Sequence, residues 1–308
     1  MVKIKKKLIF LVGPTGIGKS AAAICLAKKI KGEIISCDSM QVYRKMDIIT
    51  SKATTSERKI VKHHMLDILD PGKQYDVASY RKEALAVCDR IISKGKIPLF
   101  VGGSGLYYSV LIDGLFERVG EDRLIRSKLN KETDKRGSSY LYKKLKTIDK
   151  QAAGKIHPND TRRIIRALEV YLKTGKKISE LQKERTGLGK EYEFKIFGLD
   201  MPRSALYEKV NNRVERMFDL GLIGEVRSLL RSKLSKTARS AIGVNELKGF
   251  FKGNYGLEEA KDLIKRNSRN YAKRQFTWFR KDKRVKWIKI NPKDSPFQIA
   301  GKIWKKLS

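Results

Sequence analysis

The segment Gly13-Pro14-Thr15-Gly16-Ile17-Gly18-Lys19-Ser20 constrains this chain more than any other feature. It fits the pattern GxxxxGK[ST], and its flanks fit as well: an apolar run, Lys7 to Val12, leads into it. An Ala- and Leu-rich stretch, Ser20 to Ile30, leaves it and is closed by Gly32. Strand, glycine loop and helix in that order form a phosphate-binding loop. The glycines let backbone N–H groups converge on phosphate oxygens at the positive end of the helix, Lys19 adds a point charge, and the Ser20 hydroxyl is placed to hold Mg²⁺. A glycine turn with an accidental lysine would not need both flanks.

The rest of the chain fits the same architecture. Glu33 to Cys37 reads as a second strand ending at Asp38 and Ser39, and Asp76 can cap a helix from Val77 to about Ser93. Ile97 to Val101 reads as a third strand running into a second glycine loop, Gly102-Gly103-Ser104-Gly105. Alternating strands and helices predict an α/β fold, a P-loop NTPase-like parallel sheet flanked by helices, with ligands at the carboxyl edge of the strands. From Val119 to Tyr192 the sequence is charged and helical without clear strands, which predicts a helical insertion at 119–192 between core segments 1–118 and 193–308. Phe194 to Leu199 returns to strand character, and Ser204 to Leu220 is an amphipathic helix stopped by Gly221.

Charge points to a partner. Across 308 residues, 69 Lys and Arg against 33 Asp and Glu give a net charge of +36, a self-repulsion that a polyanion such as nucleic acid would relieve; a Lys-rich proteome is the competing explanation. Cys25, Cys37 and Cys88 are scattered without metal-ligand spacing, as in a reducing cytosol. The apolar stretch Leu8 to Val12 is cut off by Gly13 and Pro14, and no run approaches the length of a membrane span. A cytoplasmic protein, with no membrane partner and monomeric, is the expectation.

A phosphate loop usually works with a carboxylate at the end of a neighbouring strand that assists the metal in nucleotide cleavage. Here the strand Ile97 to Val101 ends in Gly-Gly-Ser-Gly, and the comparable carboxylate is Asp38, able to orient Mg²⁺, to accept a proton from a nucleophile, or simply to close a turn. Ser104 offers a small hydroxyl among glycines beside the phosphate loop, if the two strands are neighbours. Arg213 borders the apolar stripe Leu206, Val210, Val214 and Met217, where it either clamps a diphosphate or snorkels to solvent. Between Lys261 and Lys289, Arg266, Arg269, Lys273, Arg274, Arg280 and Lys281 interleave with Tyr271, Phe276, Trp278, Phe279 and Trp287. Cations with aromatic faces are the composition of an RNA surface, although Phe276 and Trp278 suit a core equally well. His63, His64 and His157 read as structural.

Several blocks together resemble the bacterial tRNA dimethylallyltransferase family over nearly the whole chain: GPTGIGKS at Gly13, DSMQVYRKMDI at Asp38, HHMLDI at His63, GGSGLYY at Gly102, HPNDTRRIIRALEVY at His157, AIGVNEL at Ala241 and YAKRQFTWFR at Tyr271. The resemblance implies that the loop Gly13 to Ser20 binds the diphosphate of dimethylallyl diphosphate rather than ATP, and that the other substrate is the adenosine 3′ to the anticodon in the tRNA anticodon stem-loop. It implies that Asp38 deprotonates the adenosine's exocyclic amine, that Ser104 stands where the family usually has Thr, and that Arg213 contacts the diphosphate alongside Lys19. It also implies tRNA contacts at Asp38, Ser39, Met40 and Gln41, at Ser104, at Arg126, Arg162, Arg163 and Arg166, and at Lys273, Arg274, Gln275 and Arg280. AIGVNE replaces the usual AIGYKE, so Val244 and Asn245 are expected to remove an aromatic and a cation from a tRNA-facing loop. Two alternatives share the loop: a P-loop kinase or NTPase, and an isopentenyltransferase acting on free adenine nucleotides. The latter would not need the Tyr271 to Arg280 surface.

Overall fold

The computed structural model describes residues 6–116 and 119–307 and divides into two compact units, Met1–Leu111 with Glu191–Ser308, and Ile112–Lys190. The first unit is built on a six-stranded sheet: β1 (Lys6–Val12), β2 (Gly32–Ser36), β3 (His63–His64), β4 (Ile97–Gly102), β5 (Tyr192–Asp200) and β6 (Val285–Lys289). The spatial order is β3-β2-β4-β1-β5-β6 and every pairing is parallel. Parallel strands need crossovers, so helices cover the faces and the inner strands read as continuous apolar runs. Leu8 to Val12 are all buried. Phe10 stacks on Phe100 of β4 with centroids 4.8 Å apart and meets Phe194 of β5 edge-on at 6.1 Å. Full burial of Phe10 and Phe100 contributes about 1.5–3 kcal/mol each.

The order decides where chemistry can sit. β1 lies between β4 and β5, and β4 lies between β1 and β2. The loops that follow β1, β4 and β2 therefore emerge side by side at the carboxyl edge, where a doubly wound sheet binds its ligands. The edge strands β3 and β6 are not legible as strands in the sequence. β3 is His63 and His64 alone, with the His64 ring nitrogen 2.7 Å from the buried Glu33 carboxylate; burial lowers the pKa of both imidazoles. Trp287, grouped above with an RNA surface, instead lies in β6, where it packs against Phe276 and over Gly198.

Among its described residues the unit Ile112–Lys190 holds helices and no strand, with helices Arg123–Arg136, Ser138–Ile148 and Thr161–Thr174 among others. It has its own core, including Leu129, Leu141, Leu145, Ile164 and Leu168. It begins ahead of the change in texture at 119 because the chain enters and leaves through backbone pressed against backbone. A Cβ on Gly187 would lie 2.1 Å from the Ile112 carbonyl oxygen, and one on Gly114 would lie 2.1 Å from that of Thr186.

Candidate active site

The phosphate loop leaves β1 and ends at the helix Lys19–Lys29. Two of its glycines are required by geometry. Gly16 has φ +80°, and a Cβ there would lie 2.7 Å from Val210 Cγ2, so the loop packs directly on the helix Arg203–Asp219. Gly18 is the N-cap, left-handed at φ +96°; no side chain caps this helix and its first turn holds no acidic residue. Its leading N–H groups and dipole end are thus left to an anion.

Two cations face the loop. Lys19 donates to the Pro14 carbonyl at 2.7 Å. Burial pushes its pKa down to about 7, with Asp38 opposing the shift and Arg213 reinforcing it. Arg213 reaches the loop from the helix Arg203–Asp219. Its guanidinium donates to Thr15 Oγ1, through Nε to Ser51 Oγ at 2.9 Å, and to the Thr50 carbonyl at 3.4 Å. Burial lowers its pKa too, against the pull of Asp38. The side chain is turned into the site rather than snorkelling away.

Asp38 follows β2 and ties its own turn through Oδ1, which accepts the Met40 N–H at 2.9 Å. It is half-buried and interacts electrostatically with Lys19, Arg213 and Tyr271. The second glycine loop is pressed against the same strand end: a Cβ on Gly102 would fall 2.0 Å from the Cys37 carbonyl oxygen, and the Ser104 N–H donates to that oxygen at 3.2 Å. Ser104 is 9% exposed, and its hydroxyl lies 3.5 Å from the Tyr107 N–H at the start of the helix Gly105–Ile112. Asp38 and Ser104 therefore share one corner of the carboxyl edge, beside the phosphate loop on β1.

The long helix Leu257–Phe279 closes this corner. Gln275, placed above among tRNA-contacting residues, is 5% exposed; its carbonyl accepts the Thr15 N–H at 2.8 Å and its amide donates to the Gly103 carbonyl at 2.8 Å. It is a bridge between the two glycine loops and is not on the open face with Lys273 and Arg274, which are exposed. Arg280 is exposed but pairs with Asp200 at 3.1 Å and lies over the Phe276 ring at 4.8 Å. Trp278 is half-buried against Gly105 and Tyr108. Tyr271, grouped above with an RNA surface, also belongs with the site: its ring is within cation–π range of Arg274 at 5.7 Å, and burial with Asp38 nearby raises its pKa.

Ser39, Met40 and Gln41 are half-buried; Gln41 accepts from Ser36 Oγ at 2.9 Å and donates to the Thr50 carbonyl at 3.3 Å. Val244 is fully buried in the helix Val244–Phe251, so a side chain there faces the core and not a tRNA; only Asn245 is exposed. In the helical unit, Arg162 and Arg163 are exposed, whereas Arg126 and Arg166 both bind Glu169, which is 0% exposed, at 2.8 and 2.6 Å. Among the described residues no group of three or more His, Cys, Asp or Glu forms a metal cage. The Ser20 hydroxyl, exposed on the first turn of its helix, suits Mg²⁺, which is commonly held by few protein oxygens together with phosphate and water.

The chain is similar to known proteins over nearly its whole length. The sequence model described as IPP transferase matches residues 41–282, and one described as isopentenyl transferase matches residues 6–68. A tRNA dimethylallyltransferase from Carboxydothermus hydrogenoformans is 48% identical over 302 residues, covering 97% of each chain. The crystal structure of a tRNA isopentenylpyrophosphate transferase from Bacillus halodurans superposes with a TM-score of 0.70 at 39% identity, covering 98% of both chains. A eukaryotic dimethylallyltransferase acting on tRNA superposes with a TM-score of 0.74 at 31% identity, over 92% of this chain and 74% of the other. With a family match over most of its length and relatives this similar, the chain belongs to the IPP transferase family.

Proposed function

We propose that the protein transfers a dimethylallyl group from dimethylallyl diphosphate to the exocyclic amine of the adenosine 3′ to the anticodon of tRNA, releasing diphosphate. The observation that carries the reading is the corner where a phosphate loop with two facing cations meets Asp38 and a glycine loop. In that corner β4 ends in Gly102-Gly103-Ser104-Gly105 where a nucleotide-cleaving enzyme would have a carboxylate. Such a corner offers cations and N–H groups to a diphosphate beside a carboxylate that can serve an amine.

The chemistry follows from the placement. The amine nitrogen attacks the first carbon of the allyl chain, the carbon–oxygen bond breaks, and the electron pair leaves with the diphosphate. Lys19, Arg213 and the free N–H groups after Gly18 are positioned to stabilise that charge. Asp38 takes or orients the amine proton, and Ser104 orients the base. The Ser20 hydroxyl is the group that would hold Mg²⁺, whose charge would help to neutralise phosphate. Extruding the adenosine costs roughly a few kcal/mol, which contacts from the +36 chain to the anticodon loop offset. Lys273, Arg274 and the exposed Arg162 and Arg163 are the cations offered for those contacts, and the protein is taken to act as a cytoplasmic monomer. Among the described residues no helix is long and apolar enough to cross a membrane.

Incubation with labelled dimethylallyl diphosphate and total tRNA, followed by nucleoside analysis, tests the reading. Label in a modified adenosine, with no ATP or GTP turnover, is the expected result. Nucleotide hydrolysis without labelled tRNA supports a P-loop NTPase, and label on free AMP in preference to tRNA supports the free-nucleotide alternative.

A further inference from the structure

Arg213 owes its place to a segment far from it in sequence. Two of its three hydrogen-bond acceptors, the Thr50 carbonyl and Ser51 Oγ, lie on the turn at 47–51. Ser51 sits at φ +44°, a left-handed conformation that a non-glycine residue keeps only when its surroundings hold it. What holds it is the carboxylate of Glu225 on the helix Leu222–Leu230. Oε2 accepts the N–H groups of Asp47 and Ile48 at 3.0 and 2.8 Å, and Oε1 accepts that of Ile49 at 2.9 Å. Three successive N–H groups on one carboxylate make a nest that fixes the turn. Within the turn, Ile48 accepts the Ser51 N–H at 2.9 Å, and the Thr50 hydroxyl donates to the Met46 carbonyl at 2.6 Å. The Thr50 carbonyl also receives the Gln41 amide, so the same oxygen serves the segment that carries Asp38.

We propose that Glu225 is a positioning residue for diphosphate: by holding Asp47, Ile48 and Ile49 it sets Thr50 and Ser51, which aim the Arg213 guanidinium at Thr15 and the phosphate loop. The proposal rests on the diphosphate-binding reading of that loop. Glu225 makes no hydrogen bond to the loop itself, and its effect on diphosphate runs through Arg213.

Inorganic diphosphate binding by calorimetry and single-turnover prenylation are measured for wild type, Glu225→Ala, Glu225→Gln, Arg213→Ala and the double variant Glu225→Ala/Arg213→Ala, with tRNA affinity followed in parallel. Glu225→Ala is expected to weaken diphosphate binding and slow the chemical step by about tenfold or more, with tRNA affinity unchanged. Glu225→Gln, which keeps one acceptor oxygen in the same shape, falls between it and wild type, and carries the comparison if the alanine variant does not fold. In the Arg213→Ala background the second substitution adds less than about twofold, because the two residues act on one path. Losses that multiply in the double variant, or folded Glu225 variants with wild-type diphosphate affinity, overturn the proposal. A wild-type protein that binds diphosphate but labels no tRNA defeats the prenyl-transfer reading alone, because the diphosphate arm still reports on Glu225.

Discussion

The side-chain carbonyl of Gln275 accepts the main-chain N–H of Thr15 at 2.8 Å across 260 residues of sequence, while the amide of the same side chain donates to Gly103. One side chain thus sets the spacing between the loop that grips phosphate and the loop that carries Ser104. Gly103 has to be glycine for this to happen, since a Cβ there would lie 2.1 Å from Gln275 Nε2.

Replacing Gln275 with Leu keeps the bulk and removes both bonds, leaving a loop N–H and a carbonyl without partners. A stability loss of about 1–3 kcal/mol is expected, with a larger proportional loss of turnover than of tRNA affinity. Thermal melts together with single-turnover rates check this; a variant with wild-type turnover removes the bridge from the working site.

Lys19→Ala is expected to lower turnover by about 10²–10³, the scale of one missing charge-stabilising donor, while tRNA still binds. A gel shift showing tRNA affinity falling in step with activity would contradict the division between phosphate loop and tRNA surface.

Lys19 also gives the site a pH signature. In the free protein burial holds its pKa near about 7, and a bound diphosphate favours the ammonium form and raises that pKa. Diphosphate affinity is therefore fullest below the free value and declines as pH climbs through it toward the value in the complex, by at most about tenfold per pH unit. Titrations from about pH 6 to 9 should show this extra slope in wild type and not in Lys19→Met, a comparison that cancels the ligand's own protons. Identical slopes would assign the whole effect to the ligand.

Asp38→Asn keeps an oxygen for the Met40 N–H and loses the base. The chemical step should slow by about 10²-fold or more with donor affinity unchanged. Single-turnover rates equal to wild type would leave Asp38 as a turn residue only.

The exposed pair Lys273 and Arg274 is expected to act on tRNA phosphates, so the double alanine variant should flatten the salt dependence of log K by about 0.7 for each phosphate no longer neutralised. Lys28 and Lys94, exposed toward the amino edge of the sheet, are matched controls whose removal should leave the slope unchanged. Equal effects from both pairs would mean that the net charge acts as a diffuse field. Arg280, already paired with Asp200, should contribute less than either member of the Lys273 and Arg274 pair.

Local patterns carried most of this site into the sequence. The phosphate loop, its strand and helix, Asp38 at a strand end and Ser104 in the second glycine loop each stand within a few residues of the feature that reveals them. Side-chain bridges left no such trace: Gln275 entered only among the tRNA contacts that the resemblance implied, and Glu225 carried no signal at all. Partners 260 and 177 residues away impose no periodicity. Val244 misleads for a related reason, since a helix's first residue looks the same in sequence whether it faces core or solvent. The edge strands escaped because two residues at β3 and five at β6 are too short to stand out from loops.

The placement of β1 bears on how the chain is made. β1 is made before the other strands of its sheet, yet its neighbour β5, paired from Lys6 with Tyr192 to Val12 with Gly198, leaves the ribosome only after the whole helical unit. Until then β1 offers one open edge of unpaired backbone beside the apolar side chains Leu8 to Val12, a template for pairing with other nascent chains. Gln275 arrives later still. A ribosome-bound intermediate therefore has its phosphate loop without the bridge that spaces it, and competence to act on tRNA waits until the helix Leu257–Phe279 has been made.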